Sequence, residues 1–376
     1  MYKRNNSGYL AAIVLAVFLL SLLAVYASSA QTKDLKLSAR AAVLYQPETK
    51  TFLYEKNANE KRPMASTTKI MTALVTLENV KDLSEPVRID PSAIGTEGSS
   101  AYLKDGDTVT VQELLYALML RSANDAAVAL ACFVGGDKAG FAAMMNERAE
   151  KLGLTDTHFT NPHGLDDKEH YTTAHDLAII AAEAMKLDIF TEICSTYKKT
   201  LVSGERRRTY INHNKLLYKY DGAIGVKTGF TDESGRCLVG AAERDGLRFI
   251  TVTLDAPTDW ADHKALFDYG YERLERLPLA SVYKYSYDLP HISGAKIRIT
   301  NTDELSVIVP KGDHDIKEYV VLPRYIIGNI KKGDELGYVE FRLDGEVVGR
   351  VPLSSTESVS VKEDGIFKKI LNFIFG

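Results

Sequence analysis

Pro63-Met64-Ala65-Ser66-Thr67-Thr68-Lys69-Ile70-Met71 is the stretch around which the rest of the chain is organised. Ser66 and Lys69 stand three apart, and on a helix that spacing puts both on one side, with Cβ atoms about 5–6 Å from each other. Pro63 fits a first helical turn, where its missing N–H costs nothing. Ile70, Met71, Leu74, Val75 and Leu77 make the helix apolar nearly all round, which predicts burial. Ser66 is therefore expected in the first turn, where free backbone N–H groups and the positive dipole end favour a developing anion. A serine hydroxyl is a poor nucleophile without a base in hydrogen-bond reach. Lys69 is that base if burial and nearby cations keep it neutral. Taken alone, Ser-x-x-Lys is common by chance in chains of this length.

Two distant segments change that weighting. Ser122-Ala123-Asn124 interrupts an apolar helical pattern that Thr110 can cap and that resumes from Asp125 to Val134. Alone, it reads best as a cap for the second helix. Lys227-Thr228-Gly229 lies in residues 222–254, which read as three antiparallel strands with Asp245-Gly246 as a tight hairpin turn. Alone, it reads best as a strand end with a turn. In that position it would face Ser66: Lys227 as a fixed cation, Thr228 as a hydroxyl, and Gly229 letting a substrate approach the backbone.

Ser-x-x-Lys, Ser-x-Asn and Lys-Thr-Gly, in this order, form the signature of penicillin-binding proteins and class A β-lactamases. Over residues 38 to 352 the chain resembles the low-molecular-weight penicillin-binding proteins, the serine D-alanyl-D-alanine carboxypeptidases. The resemblance implies an α/β (α+β) transpeptidase-like domain, an antiparallel sheet flanked by helices, plus a small all-β C-terminal domain. It implies acyl transfer. Ser66 would attack a D-Ala-D-Ala peptide with Lys69 as base, Ser122 would relay a proton, and Asn124 would hydrogen-bond the substrate. Lys227 and Thr228 would hold the terminal carboxylate beside Gly229. The backbone N–H groups of Ser66 and Phe230 would form the oxyanion hole. The implied partners are cell-wall stem peptides and β-lactams as inhibitors, and no cofactor is required.

A β-lactamase is the nearest rival, but no Glu-x-x-x-Asn follows Ser122 as such an enzyme's deacylating glutamate requires, and Asn161-Pro162-His163-Gly164 resembles the carboxypeptidases. A catalytically silent wall-binding protein is the rival from another class; the complete triplet argues against it. Two departures stand out: the second motif is Ser-Ala-Asn rather than Ser-Asp-Asn, and His213 stands where relatives carry an arginine.

The chain has 376 residues, enough for two domains, with 45% hydrophobic and 26% charged side chains and a net charge of −4. Residues 1–30 read as a secretory signal: Lys3 and Arg4, then Tyr9 to Ala27 almost wholly apolar, then Ser28-Ser29-Ala30 for cleavage. The apolar run is also long enough for an uncleaved anchor. Both readings place the rest of the chain outside the cytoplasm. Without residues 1–30, 44 basic side chains face 50 acidic ones, which argues against a nucleic-acid partner. Cys132, Cys194 and Cys237 form no even disulfide framework and read as small buried hydrophobes. His163, His170 and His175 match no helical zinc spacing, so no metal is expected.

Ala41–Tyr45 and Thr51–Tyr54 predict a hairpin, and residues 86–110 a loop with short strands. Helices are expected from Gly140 to Leu152 and from a Thr173 cap to about Lys186. The expected domains are residues 31–276, catalytic, and 277–352, a β-sandwich built from alternating runs such as Lys296–Thr300 and Leu305–Val309. Residues 353–376 are expected to be a polar linker, from Ser354 to Asp364, followed by an amphipathic helix at the membrane surface. There Ile366, Phe367, Ile370, Leu371, Ile374 and Phe375 share a stripe beside Lys368 and Lys369.

Overall fold

The computed structural model describes residues 35–203 and 206–360, so the leader and the Ile366–Phe375 stretch lie outside the described residues. The chain divides into two compact units at Glu272/Arg273.

The first unit is built on one antiparallel sheet. β1 (Ala41–Gln46) and β2 (Thr51–Lys56) form the expected hairpin. β3 (Pro86–Arg88) pairs with β4 (Thr108–Thr110), and β5 (Lys198–Ser203) with β6 (Arg206–Ile211), as separate ribbons. β7 (Ala223–Thr231), β8 (Gly235–Arg244) and β9 (Leu247–Leu254) are the three strands expected over 222–254. Asp245 and Gly246 turn the last pair with φ values of 51° and 73°, as a primed two-residue turn requires. β1 also pairs with β9, so the sheet order is β2-β1-β9-β8-β7 and β7 is an edge.

The helices are α1 (Lys69–Asn79), α2 (Val111–Leu120), α3 (Asn124–Gly135), α4 (Lys138–Lys151), α5 (Ala174–Ala184), α6 (Asp188–Ser195), α7 (Leu216–Lys219) and α8 (Asp259–Tyr271). α1 is surrounded by α2, α3, α4, α5 and α6, which is why it is buried from Lys69 to Thr76. Thr110 and Thr173 cap α2 and α5 as expected, accepting from Glu113 N–H and Asp176 N–H. Asp137 caps α4, which starts two residues before the expected Gly140. α5 and α8 pack against the sheet strands, so β1 is buried along its whole length. On α8, His263 sits between the hydroxyls of Thr251 and Thr253, next-but-one neighbours on one face of β9, at 2.6 and 2.9 Å.

One expectation is corrected here. Lys227-Thr228-Gly229 is not at a strand end: β7 continues to Thr231, which pairs with Gly235, so the motif lies in mid-strand. The edge position, not a strand terminus, leaves it open on the side facing Ser66.

The second unit is all β. β10 (Leu274–Ala280) pairs with β13 (Leu305–Pro310). β11 (Ser286–Pro290), β12 (Lys296–Thr300), β14 (Ile316–Val321), β15 (Glu335–Leu343) and β16 (Glu346–Ser355) form a sheet in the order β11-β12-β16-β15-β14. Ile297, Ile299, Val307, Val309, Val339, Phe341 and Leu353 fill the core. Ser354 was expected to begin a linker; instead β16 runs to Ser355 and Val359 pairs with Ile330.

Candidate active site

Ala65 adopts a left-handed φ of 47°, a conformation that costs a residue with a Cβ about 1–2 kcal/mol. It starts a 3-10 turn, Ala65–Thr68, that runs into α1 at Lys69. A 3-10 turn has three residues per turn, so side chains at i and i+3 eclipse. Ser66 and Lys69 thereby share one side of a 3-10 turn rather than of the α-helical first turn expected from sequence, and Lys69 Nζ lies 2.9 Å from Ser66 Oγ. Thr67 Oγ1 ties the turn to Met64 O at 2.6 Å.

Lys69 is completely buried, and Nζ has two further neighbours: Asn124 Oδ1 at 2.7 Å and the His163 carbonyl at 2.6 Å. Asn124 Nδ2 donates to Glu97 O, which fixes Oδ1 as the atom facing Lys69. Both of these neighbours are acceptors only. A neutral amine has two N–H groups; they consume both, and its lone pair is left for the Ser66 hydroxyl proton. Burial holds Lys69 well below the usual lysine range, and the charge of Lys227 pushes the same way, against Asp125. The arrangement can take a proton from Ser66.

Ser122 is buried on a left-handed residue, φ 62°, and Ala123 rather than Ser122 holds the N-cap position of α3. Its hydroxyl stands outside the hydrogen-bond set that joins Lys69 to Ser66 and Asn124. Asn124 N–H donates to Ser99 O, and buried Asp125 accepts from the N–H groups of Ala101 and Leu103 and from the Ser100 hydroxyl. The 97–103 loop is thus tied to the Ser-x-Asn turn.

On the other side, β7 packs against the 3-10 turn. A Cβ added at Gly229 would lie 3.1 Å from each of Ser66 N, Met64 O and Ala65 Cβ. The missing side chain therefore lets the edge strand close on the Ser66 backbone, bringing Ser66 N–H near the Gly229–Phe230 segment. The Phe230 side chain itself points to solvent, 61% exposed. Lys227 is buried with Nζ on the Thr228 carbonyl at 2.7 Å, and burial pulls its pKa down to about 7.

The sequence matches the D-alanyl-D-alanine carboxypeptidase family over residues 27–258 and the C-terminal domain of penicillin-binding protein 5 over residues 292–361. The D-alanyl-D-alanine carboxypeptidase DacF of Bacillus subtilis is 34% identical over 372 residues, 95% of each chain. DacC of Escherichia coli is 31% identical over 356 residues, 90% of this chain and 88% of its own. Among solved structures, the D-alanyl-D-alanine carboxypeptidase DacD of Francisella tularensis superposes with a TM-score of 0.61 at 27% identity, over 88% of this chain and 96% of its own. A Streptomyces DD-transpeptidase gives 0.60 at 38% identity, over 63% and 98%. This chain belongs to the D-alanyl-D-alanine carboxypeptidase family. It is a serine-type carboxypeptidase by family, and its two units carry the transpeptidase-like and all-β folds expected.

Sequence reading missed one part of this carboxypeptidase's site. The 160–165 loop, read from sequence only as a family-like turn with no role in the site, touches the Ser66 turn and α1 at three points. His163 O accepts from Lys69, Pro162 O accepts from Thr72 Oγ1 at 2.6 Å, and Gly164 lies against Ala65 O. Carbonyl groups carry no residue-type signal, so only the Asn-Pro-His-Gly turn pointed there. The His163 ring is driven down to about 3 by burial, then by Lys69. His175 stacks on Phe52, and His170 lies on the far side of Thr68, so the three histidines do not converge. His213, whose side chain reaches solvent, has its pKa lowered by partial burial, then by Lys227 and Arg121. Cys194 and Cys237 are buried, and Cys132 is half-buried.

Proposed function

We propose that Ser66 acts as the nucleophile of a D-Ala-D-Ala carboxypeptidase working on peptidoglycan stem peptides. Ser66 Oγ bonds to the carbonyl carbon of the penultimate D-alanine while Lys69 Nζ takes the hydroxyl proton. The N–H groups of Ser66 and Phe230 receive the oxyanion. The tetrahedral adduct collapses, the C–N bond breaks, and the proton passes to the leaving amine, with Ser122 as relay. Lys227 and Thr228, next to His213, hold the departing residue's carboxylate. Water then attacks the acyl-enzyme, releasing the shortened peptide and restoring Ser66. β-Lactams acylate the same oxygen and leave slowly. The observation carrying this reading is that Lys69 Nζ meets two acceptor-only groups and then Ser66 Oγ. Labelling by fluorescent penicillin, with mass spectrometry of D-alanine release, tests it; a protein that takes up no label and releases no D-alanine sinks it.

The same reading puts the enzyme outside the cytoplasm, delivered by residues 1–30 and held on the outer face of the membrane by residues 366–376. Support comes from the basic-then-apolar leader and from the six-residue apolar stripe beside Lys368 and Lys369. A chain ending at Asp364 is expected in the soluble fraction and active on a short peptide. Retention after high salt would move the anchor to Tyr9–Ala27.

A further inference from the structure

Behind Thr68, away from Lys69, lies a directed chain of hydrogen bonds that the chemistry above does not use. Thr160 N–H donates to His170 Nδ1 at 3.0 Å. A backbone N–H can only donate, so Nδ1 carries the lone pair and the neutral ring has its hydrogen on Nε2. That hydrogen points at Thr68 Oγ1, 2.8 Å away. With one lone pair taken, the Thr68 hydroxyl turns its own hydrogen onto Ala65 O at 2.8 Å. The relay ends on the left-handed residue immediately before the nucleophile.

The relay is rigid. His170 is 3% exposed, Ala65 1% and Thr68 0%. Phe159 meets the imidazole edge-on, with ring centroids 5.7 Å apart. His170 N–H is anchored on Asp167 O at 2.9 Å. From the same side Gly164, with φ 86°, presses on the carbonyl: an added Cβ there would sit 1.9 Å from Ala65 O and 2.8 Å from Thr68 Oγ1. Ala65 O is therefore caught between the Gly164 backbone and the Thr68 hydroxyl, and its orientation sets that of the Ala65–Ser66 peptide.

We infer that His170 is a positioning residue for Ser66. Through Thr68 it holds the Ala65 carbonyl, and with it the left-handed turn that aims the Ser66 hydroxyl at Lys69 and the Ser66 N–H toward β7. The imidazole touches neither substrate nor the reacting atoms. This inference rests on the reading of Ser66 as nucleophile. A turn freed from the relay misplaces both attacking oxygen and oxyanion donor, and an ångström of misplacement costs about 10²-fold in rate.

The test is the acylation rate of the full chain with a fluorescent penicillin, and kcat and KM on a D-Ala-D-Ala peptide, alongside the melting temperature. His170→Phe keeps ring and volume but not the donor; acylation and kcat are expected to fall about 10- to 100-fold with little change in KM. His170→Gln, which retains a donor of similar reach, is expected to recover most of that loss. Thr68→Val removes the hydroxyl at nearly constant shape and is expected to match His170→Phe. The double variant should be no slower than the slower single, because both break one relay. A folded His170→Phe or Thr68→Val enzyme acylating at the parent rate overturns the inference. So does a Gln variant as slow as Phe, or a double variant whose losses multiply. Should His170→Phe not fold, Thr68→Val decides alone. Ser66→Ala is the control: labelling of that variant brings down the nucleophile assignment instead.

Discussion

Around Ser66 the chain takes Lys69, Lys227, Asn124, Asp125 and His170 almost wholly out of water, while the core of residues 273–360 is Ile297, Ile299, Val339, Phe341 and Leu353. In that second unit Glu340 is the buried acidic side chain among the described residues, and it is clamped between Arg342 and Arg350, both of which reach solvent. Burying a charge is costly unless it is paired and hydrogen-bonded. The β unit meets that condition with an ion pair. The catalytic unit also uses ion pairs, at Asp259 with Arg236 and at Asp107 and Glu113 with Arg208. Beside Ser66, burial instead lowers the pKa of Lys69, favouring its neutral form. One arrangement yields a stable sheet face, the other a lysine able to take a proton.

The largest effect that separates the units is expected from Ser66→Ala. Loss of the proposed nucleophile should lower D-alanine release by about 10⁴-fold or more and abolish penicillin labelling. Persistent stoichiometric labelling would remove the special status of the Ser66 turn.

Lys69→Arg comes next. It keeps a cation, but arginine does not deprotonate in a protein, and loss of general-base action costs about 10²–10⁴-fold. Near-parent acylation would mean that burial of Lys69 serves packing alone.

Lys227→Ala is expected to cost about 10- to 100-fold on peptides ending in a carboxylate, the range for a hydrogen bond to a charged group, and far less on ester analogues lacking it. Because burial brings Lys227 to about 7, its cation fades as pH rises through that value. KM for the carboxylate substrate should therefore climb above about pH 7, and the ester's should not. Equal losses on both substrates would assign Lys227 to the chemistry at Lys69.

Acid sharpens the contrast in stability. Burial lowers His163 and His263 to about 3 and His170 to about 4, all in the catalytic unit. An unfolded histidine titrates near about 6.5, so below that pH the unfolded chain binds more protons than the folded one. Stability from these groups is complete above about pH 6.5 and is lost as pH falls toward their folded values, by about 2 kcal/mol each at pH 5. Hydrogen exchange at pH 7 and 5 should show protection falling more over residues 35–272 than over 273–360. The smallest effect is reserved for the β unit: Glu340→Gln should cost no more than about 1 kcal/mol, as for a pair whose arginines are solvent-exposed, with acylation of Ser66 unchanged.

Elements with a clear period were legible: the 41–56 hairpin, α1, the 222–254 meander and most of the β unit. α8 was not, because its buried face carries Asp259, Asp262 and His263, satisfied by Arg236, by Ser38 and Ala39 N–H groups, and by two threonines. A polar buried face erases the hydropathy signal on which a helix is read. The β5–β6 ribbon was hidden for a similar reason: Arg208 looks like a solvent residue yet reaches Asp107 and Glu113. In the site, Ser66, Lys69 and Asn124 were legible as side chains at known spacings. The His163 carbonyl, the 3-10 form of the first turn and the Thr160–His170–Thr68–Ala65 relay were not, since they depend on backbone atoms and on contacts between segments far apart in the chain.

The pairing of Ala41 with Leu254 has a consequence for how the enzyme comes into being. Its first strand has no central neighbour until its last strand exists, and such long-range pairing is slow because the loop must close before contacts reward it. Ser66 and Lys69 are synthesised early, but Lys227 and the edge strand that presses Gly229 on the Ser66 turn come almost at the end of the unit. A part-made chain thus holds no acylating centre. Catalytic competence is therefore expected to arrive late and together with the closed sheet.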